Sequence, residues 1–269
     1  MREIIPRRII QTGKSADLSL LCKAAVANVR LLNPGFEYLF FDDANVEKFI
    51  DSEFPEYRPV FDSFAVPIQR YDFFRYLAVY RLGGFYLDTD VLLVSCLEDL
   101  LGFGCVFPFE ELTIQAFLRE QYGMDWEIGN YAFGAAAGHP FLGAIIKNCV
   151  RAQQHPDWAQ EMTRSIPHLF RRDYFVYDTT GPGLVSRTLA EYPLARDQVT
   201  VLFPENVCNP ESWHCFGGYG VHLQGGTWRK QKGLFYRRLA RLWESLTRKA
   251  FLRESVKRGA QRSLEFKRS

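Results

Sequence analysis

Two hydrophobic periods succeed one another along the first hundred residues. Residues 4–12 form an apolar run entered through Pro6 and predict a first strand, and Gly13-Lys14-Ser15 turns the chain. Residues 18–31 carry Leu18, Leu21, Cys22, Ala25 and Val29 at helical spacing and stop at Asn33-Pro34-Gly35. Residues 36–41 predict a second, aromatic-rich strand closed by Asp42-Asp43, and residues 46–50 a short helix. Residues 68–82 predict a helix with Phe73, Leu77 and Tyr80 on one stripe, stopped by Gly83-Gly84. Phe85-Tyr86-Leu87 and Val91-Leu92-Leu93-Val94 then read as a buried strand pair or as one interrupted strand. Further strands are predicted over 102–109, 130–137, 199–203 and 219–223, and Pro140 opens a helix that reaches Cys149. This alternation predicts an α/β fold with parallel strands.

Composition narrows the picture. A chain of 269 residues, 47% hydrophobic and 24% charged, suits one large globular unit or two fused halves. No 18-residue apolar run occurs, so no transmembrane helix is predicted. The segment MREIIPRRII lacks a continuous apolar stretch and reads as a strand, not a signal peptide. Six scattered cysteines (22, 96, 105, 149, 208 and 215) with no C-x-x-C pair predict reduced thiols, hence a cytoplasmic protein. Charge is unevenly spread. Residues 233–269 hold eleven Lys/Arg against three Glu, a net of +8, whereas the rest carries 22 bases against 28 acids, a net of −6.

The chemistry concentrates in Gly83-Gly84-Phe85-Tyr86-Leu87-Asp88-Thr89-Asp90-Val91. On an extended chain residues i and i+2 point the same way, so Asp88 and Asp90 can converge on one small volume. Two such carboxylates repel, and an oxygen-seeking cation, Mn²⁺ or Mg²⁺, relieves the repulsion while accepting diphosphate oxygens. A solvated turn between two strands would satisfy the same pattern. Asp72 and Arg75 lie three apart on the preceding helix and so share a face; either they brace each other or they reach a ligand.

The stretch from Gln69 to Asp90, with Asp72-x-x-Arg75 ahead of Asp88-Thr89-Asp90, resembles the glycosyltransferases with a sugar-binding region containing a DXD motif (glycosyltransferase family 32). Fungal initiation-specific α-1,6-mannosyltransferases and bacterial polysaccharide enzymes belong there. Residues 5–14 are similar to the family's opening strand, with Ile10 where His is usual and Gly13 where Trp is usual. Ile128-Gly129-Asn130-Tyr131-Ala132-Phe133, Gly138-His139-Pro140, Thr180-Gly181-Pro182 and His222 with Trp228 match later elements. The resemblance implies a GT-A fold, with residues 1–232 catalytic: about 1–100 the nucleotide half and 101–232 the acceptor half. It implies donor contacts from Ile10, Gln11, Thr12, Asp72, Arg75, Asp88 and Trp228, and a metal held by Asp88, Asp90 and His222. It also implies a retaining transfer of a hexose or N-acetylhexosamine from a UDP-sugar, with GDP-mannose the second choice, to a glycan or lipid-linked acceptor. No nucleophile is evident. Asn130 is the candidate polar group facing the anomeric carbon, or else a strand Asn bonded to backbone. The remaining histidines read as structural.

A haloacid-dehalogenase-type phosphatase also carries D-x-D after an apolar strand, but it opens with the motif and needs a later Lys and acidic pair. The pattern also admits a toxin-like transferase acting on protein, or a non-catalytic module that binds a sugar-nucleotide or glycan. In the tail, Leu239, Leu242, Trp243 and Leu246 fall at helical spacing among arginines, so residues 233–269 predict a basic amphipathic helix. Such a helix is a membrane-surface anchor, a helix packed on the globule or a frayed, solvated end. Surface binding would place the protein at the inner face of a membrane. Nucleic acid is not an expected partner, because no recognition motif accompanies the charge.

Overall fold

The computed structural model describes residues 3–223 and 234–257. Among them the predicted alternation becomes a seven-stranded sheet of β1 (Arg8–Thr12), β2 (Glu37–Phe41), β3 (Gly84–Leu87), β5 (Cys105–Leu112), β6 (Trp126–Ile128), β7 (Ala132–Ala135) and β8 (Thr200–Leu202). The strand order is β2-β1-β3-β7-β5-β6, with β8 beside β5. Pairs β1–β2, β1–β3 and β5–β8 are parallel, and those made by β7 and β6 are antiparallel, so five of the seven strands run one way. This is the mostly parallel sheet expected, with one reversed strand at its centre. Strand β4 (Val91–Leu93) is not part of it. It forms a second, three-stranded sheet in the order β4-β10-β9, with β9 at Cys215–Phe216 and β10 at Gly220–His222. The "interrupted strand" is therefore two strands in two sheets.

Alternation along the central strands sends successive residues to opposite faces. Ile10, Tyr86, Phe107 and Phe133 enter one buried cluster, and Ile9, Phe85, Val106 and Ala132 the other. Six helices of ten residues or more are described: α1 (Leu20–Leu32), α2 (Asp43–Glu53), α3 (Pro67–Leu82), α4 (Pro140–Gln154), α5 (Pro182–Glu191) and α6 (Leu234–Lys257). Proline opens α3, α4 and α5 at the first turn, where its missing N–H costs nothing. Helix α3 is buried from Asp72 to Val79 on all sides, not along the single stripe predicted, because it packs on the sheet, on α4 and on the helices around it. On α1 only Ala25 and Val29 are buried; Leu21, expected inside, is exposed. The helical stretch from 156 to 179 is one that no hydrophobic period predicts.

The tail helix lies with one face on the body. Tyr236, Ala240 and Trp243 of α6 pack on Ile114, Ile166, Phe170, Tyr174 and Tyr177. Leu239, Leu242 and Leu246 point outward. Aromatic rings offer more buried area than leucine to a shallow surface, so they take the contact. Among the described residues all six cysteines are unpaired, and no helix is long and apolar enough to cross a membrane.

Beneath α6 lies a buried acid. Glu127 on β6 is fully buried and accepts hydrogen bonds from Thr113 Oγ1 (2.5 Å) and Tyr177 Oη (2.8 Å). Burial first, and the charge of Glu111 second, push its carboxyl up to about 7. Asp178 nearby is raised by burial in the same way. Such groups bind protons more tightly folded than unfolded, so their stabilisation is present at low pH and lost as pH rises through the window from the unfolded value to the folded one. For Glu127 that window is about 4.5 to about 7, worth roughly 3 kcal/mol. The expected outcome is a Tm that falls across this window in the wild type and falls less in Glu127→Gln; thermal melts at several pH values read it, and an unchanged slope would contradict the assignment.

Candidate active site

The glycine pair sets the geometry that follows it. Gly83 (φ +65°) ends α3 and Gly84 (φ +106°) starts β3, both in the left-handed region. A Cβ on Gly84 would meet the Arg8 carbonyl oxygen at 2.6 Å, so only glycine lets β3 lie this close to β1. Strand β3 ends at Leu87, and Asp88-Thr89-Asp90 is the turn in which the chain leaves the large sheet for the small one, closed by Val91 N donating to Asp88 O (3.0 Å). Strand β10 then pairs antiparallel with β4, His222 opposite Val91, which sets the imidazole beside Asp90. His222 Nε2 lies 3.2 Å from Asp90 Oδ1, and ligand atoms of Asp88, Asp90 and His222 all fall within 4.8 Å of one another. All three side chains are partly open to solvent.

Helix α3 supplies the wall. Arg75 and Asp72 are buried and pair at 3.1 Å. The Arg75 guanidinium also lies 3.3 Å from Asp88 Oδ1, donates to the Asn130 carbonyl (2.8 Å) and sits over the Tyr86 ring at 4.6 Å. Burial alone would lower its pKa; Asp88, then Tyr86 and Asp72, outweigh that and hold it charged. Burial pushes the Asp72 carboxyl up to about 6 against the pull of Arg75. Asp72 accepts from Asn130 Nδ2 (3.1 Å) and from Thr180 Oγ1 (2.9 Å), the latter in the Thr180-Gly181-Pro182 turn ahead of α5. Asn130 Nδ2 also donates to Tyr76 Oη (2.8 Å), so the amide oxygen is the atom Asn130 can offer a substrate. Asp72 and Arg75 thus brace each other, and Arg75 also contacts Asp88 of the acidic turn.

On β1, Gln11 Nε2 donates to Asp88 O (3.2 Å) and its Oε1 accepts from Tyr38 Oη (2.9 Å), while Thr12 Oγ1 donates to Phe41 O (2.9 Å). Ile10 is wholly buried in the helix-side core. Trp228 lies outside the described residues. Several neighbours are not among the predicted site residues. Tyr86 Oη donates to Asp88 Oδ1 (2.7 Å), and the Tyr131 ring stacks on His222 at 4.5 Å. His214, expected to be structural, pairs with Glu110 at 3.2 Å, and its carbonyl accepts from His222 N (2.9 Å). Tyr86 stands two residues before Asp88 on the same chain segment, whereas no local pattern marks Tyr131, His214 or Glu110, which long-range strand pairing brings in. His139 does take the structural role expected, capping α4 by accepting from Phe141 N (3.3 Å).

A family model described as "Glycosyltransferase sugar-binding region containing DXD motif" matches residues 20–107. An uncharacterized glycosyltransferase, L373, of Acanthamoeba polyphaga mimivirus is 30% identical over 206 residues, 75% of this chain and 74% of that protein. The chain belongs to the DXD-motif glycosyltransferases. Membership sets the chain apart from the phosphatases that the D-x-D pattern alone allowed. Inositol phosphoceramide mannosyltransferase 3 of Schizosaccharomyces pombe is 31% identical over 147 residues, 55% of this chain; the chain spans only 38% of that protein's length. Among solved structures, the PaToxG glycosyltransferase superposes with a TM-score of 0.50 at 16% identity, covering 72% of each chain, and supports the GT-A fold.

The charges of this DXD site fit a divalent cation. Asp72 offsets Arg75, which leaves Asp88 and Asp90 as two carboxylates around one volume. Burial would lower the His222 pKa, yet the Asp90 hydrogen bond and the charges of Asp88, Asp90 and Glu110 raise it: the site draws positive charge. Tyr86 orients Asp88 as an outer partner orients a ligand. Asp90→Ala is therefore expected to abolish Mn²⁺-dependent binding of a nucleoside diphosphate, and Tyr86→Phe to weaken it about tenfold. Titration calorimetry with and without Mn²⁺ reads both; unchanged affinity in Asp90→Ala would remove the cluster from the site.

Proposed function

We propose that the chain is a retaining, metal-dependent transferase that moves a hexose or N-acetylhexosamine from a nucleotide-sugar to a glycan or lipid-linked saccharide acceptor, in surface polysaccharide or glycoconjugate synthesis. The observation that carries this reading is the convergence of Asp88, Asp90 and His222 beside a buried Arg75. A UDP-sugar is the first donor and GDP-mannose the second; the mannosyltransferase named above supports a mannosyl donor as a serious competitor.

In this reading Asp88, Asp90 and His222 hold Mn²⁺ or Mg²⁺. A bound dication supplies positive charge for a diphosphate leaving group. The chain's own residues do the rest. The end of β1, at Gln11 and Thr12, lies along the nucleoside, with Gln11 already tied to the Asp88 backbone. Arg75, its planar fork held by Asp72, Asp88 and the Asn130 carbonyl, fixes the Asp88 carboxylate at the wall of the donor site. Asp72 addresses sugar hydroxyls, and Asn130 offers its amide oxygen toward the anomeric carbon. The N-terminal hundred residues serve the nucleotide and the segment after them the acceptor.

The test is a donor screen by nucleoside diphosphate release across UDP-glucose, UDP-galactose, UDP-N-acetylglucosamine and GDP-mannose. Turnover is expected with Mn²⁺ and is expected to stop when a chelator is added; no release from any donor would contradict the proposal. With the accepted donor, Arg75→Lys should reduce the rate about tenfold or more, because an ammonium cannot reproduce the bidentate fork. Asp72→Asn should impair sugar transfer while the diphosphate still binds. Lower melting temperatures with wild-type rates in both variants would leave the pair only a bracing role.

A further inference from the structure

Helix α6 is fastened to the body along one face. Trp243 stacks on Phe170 at 5.2 Å, and Glu244 accepts from Tyr174 Oη (2.7 Å). Arg248 pairs with Glu111 at 2.6 Å and donates to Leu112 O (3.1 Å), and the Arg119 guanidinium lies 3.8 Å from the Phe251 ring centre. These contacts draw on aromatic rings, one acid and one arginine of the helix.

The opposite face is of different composition. Between 238 and 250 the exposed positions are Arg238, Leu239, Arg241, Leu242, Ser245, Leu246, Lys249 and Ala250. There are three cations, four apolar residues and one serine, and no acid. Leu239, Leu242 and Leu246 are 38%, 57% and 58% exposed and recur at i, i+3 and i+7, one continuous stripe. Leu169 on the body is also exposed (58%), and its carbonyl accepts from Tyr236 Oη (3.1 Å) of the same helix. Exposed Arg172 stands three residues further on. A helix face turned only toward water mixes both signs of charge and carries few leucines. A leucine stripe rimmed by cations alone suits a surface that is apolar beneath and anionic on top: leucines enter the acyl boundary while Arg and Lys stems lie along it and their heads meet phosphates.

We propose that this outward face of α6, with Leu169, docks the protein on a bilayer carrying anionic headgroups. The charge complementarity selects the occupant, since a purely apolar partner would leave Arg238, Arg241 and Lys249 without counter-charge. On its inward side the same helix places Arg248 5.3 Å from the Trp213 ring, next in sequence to the His214 that pairs with Glu110. The inference does not depend on which sugar is moved.

The test is flotation of the full chain with vesicles of phosphatidylcholine alone and of phosphatidylcholine with phosphatidylglycerol. Binding is expected to the mixed vesicles at low salt, about tenfold weaker at high salt, and absent with phosphatidylcholine alone. The triple variant Leu239→Ser, Leu242→Ser, Leu246→Ser should keep its thermal melt and donor-hydrolysis rate in solution yet lose flotation. Three results would overturn the proposal: no flotation of the wild type with anionic vesicles, equal flotation of the triple variant, or a solution dimer that the triple variant converts to monomer, which would make the stripe an interface between copies.

Discussion

The site rests on the buried guanidinium of Arg75. It touches Asp72, Asp88, the Asn130 carbonyl and the Tyr86 ring, and so joins helix α3 to the end of β3 and to the segment ahead of β7. A buried cation is costly unless its partners are well placed, and removing one partner of such a pair costs about 3–5 kcal/mol. Here two carboxylates and a carbonyl answer one charge. The arrangement ties fold to function: the group that holds the wall together also fixes the orientation of a candidate metal ligand.

Beneath it the aromatic core fixes the polar atoms above. Phe133 lies parallel to Phe107 at 4.9 Å and packs against Tyr86 and Tyr76 at 5.7 and 5.8 Å. The rings are core; the hydroxyls are site. Tyr86 Oη goes to Asp88, and Tyr76 Oη receives Asn130 and donates to the Thr180 carbonyl. Close packing therefore transmits precision, because a tyrosine that cannot shift in the core cannot shift its hydroxyl. The small sheet completes the geometry by returning His222, from far along the chain, to the turn at Asp90.

Much of this is legible in the sequence. Asp88 and Asp90 stand out through the two-residue period after a glycine pair, and Asp72 with Arg75 through helical spacing. Both are local regularities. His222 can be named only through the family resemblance, because its place depends on β10 pairing with β4. Tyr131 and the Glu110–His214 pair are invisible for the same reason. The short helices between 156 and 179 are held by tertiary contacts and carry too few turns to show a period. On α6 the spacing marks an apolar stripe, but it cannot say that Tyr236, Ala240 and Trp243 take the inward position.

The central claim is that one cation and a nucleoside diphosphate meet at the crossing of the two sheets. An anomalous difference map at the manganese edge, from crystals grown with MnCl₂ and UDP or GDP, tests it most directly. The account predicts a single strong peak among the side chains of Asp88, Asp90 and His222, with the diphosphate alongside. A peak bound elsewhere, or a diphosphate seated away from this turn, would contradict it.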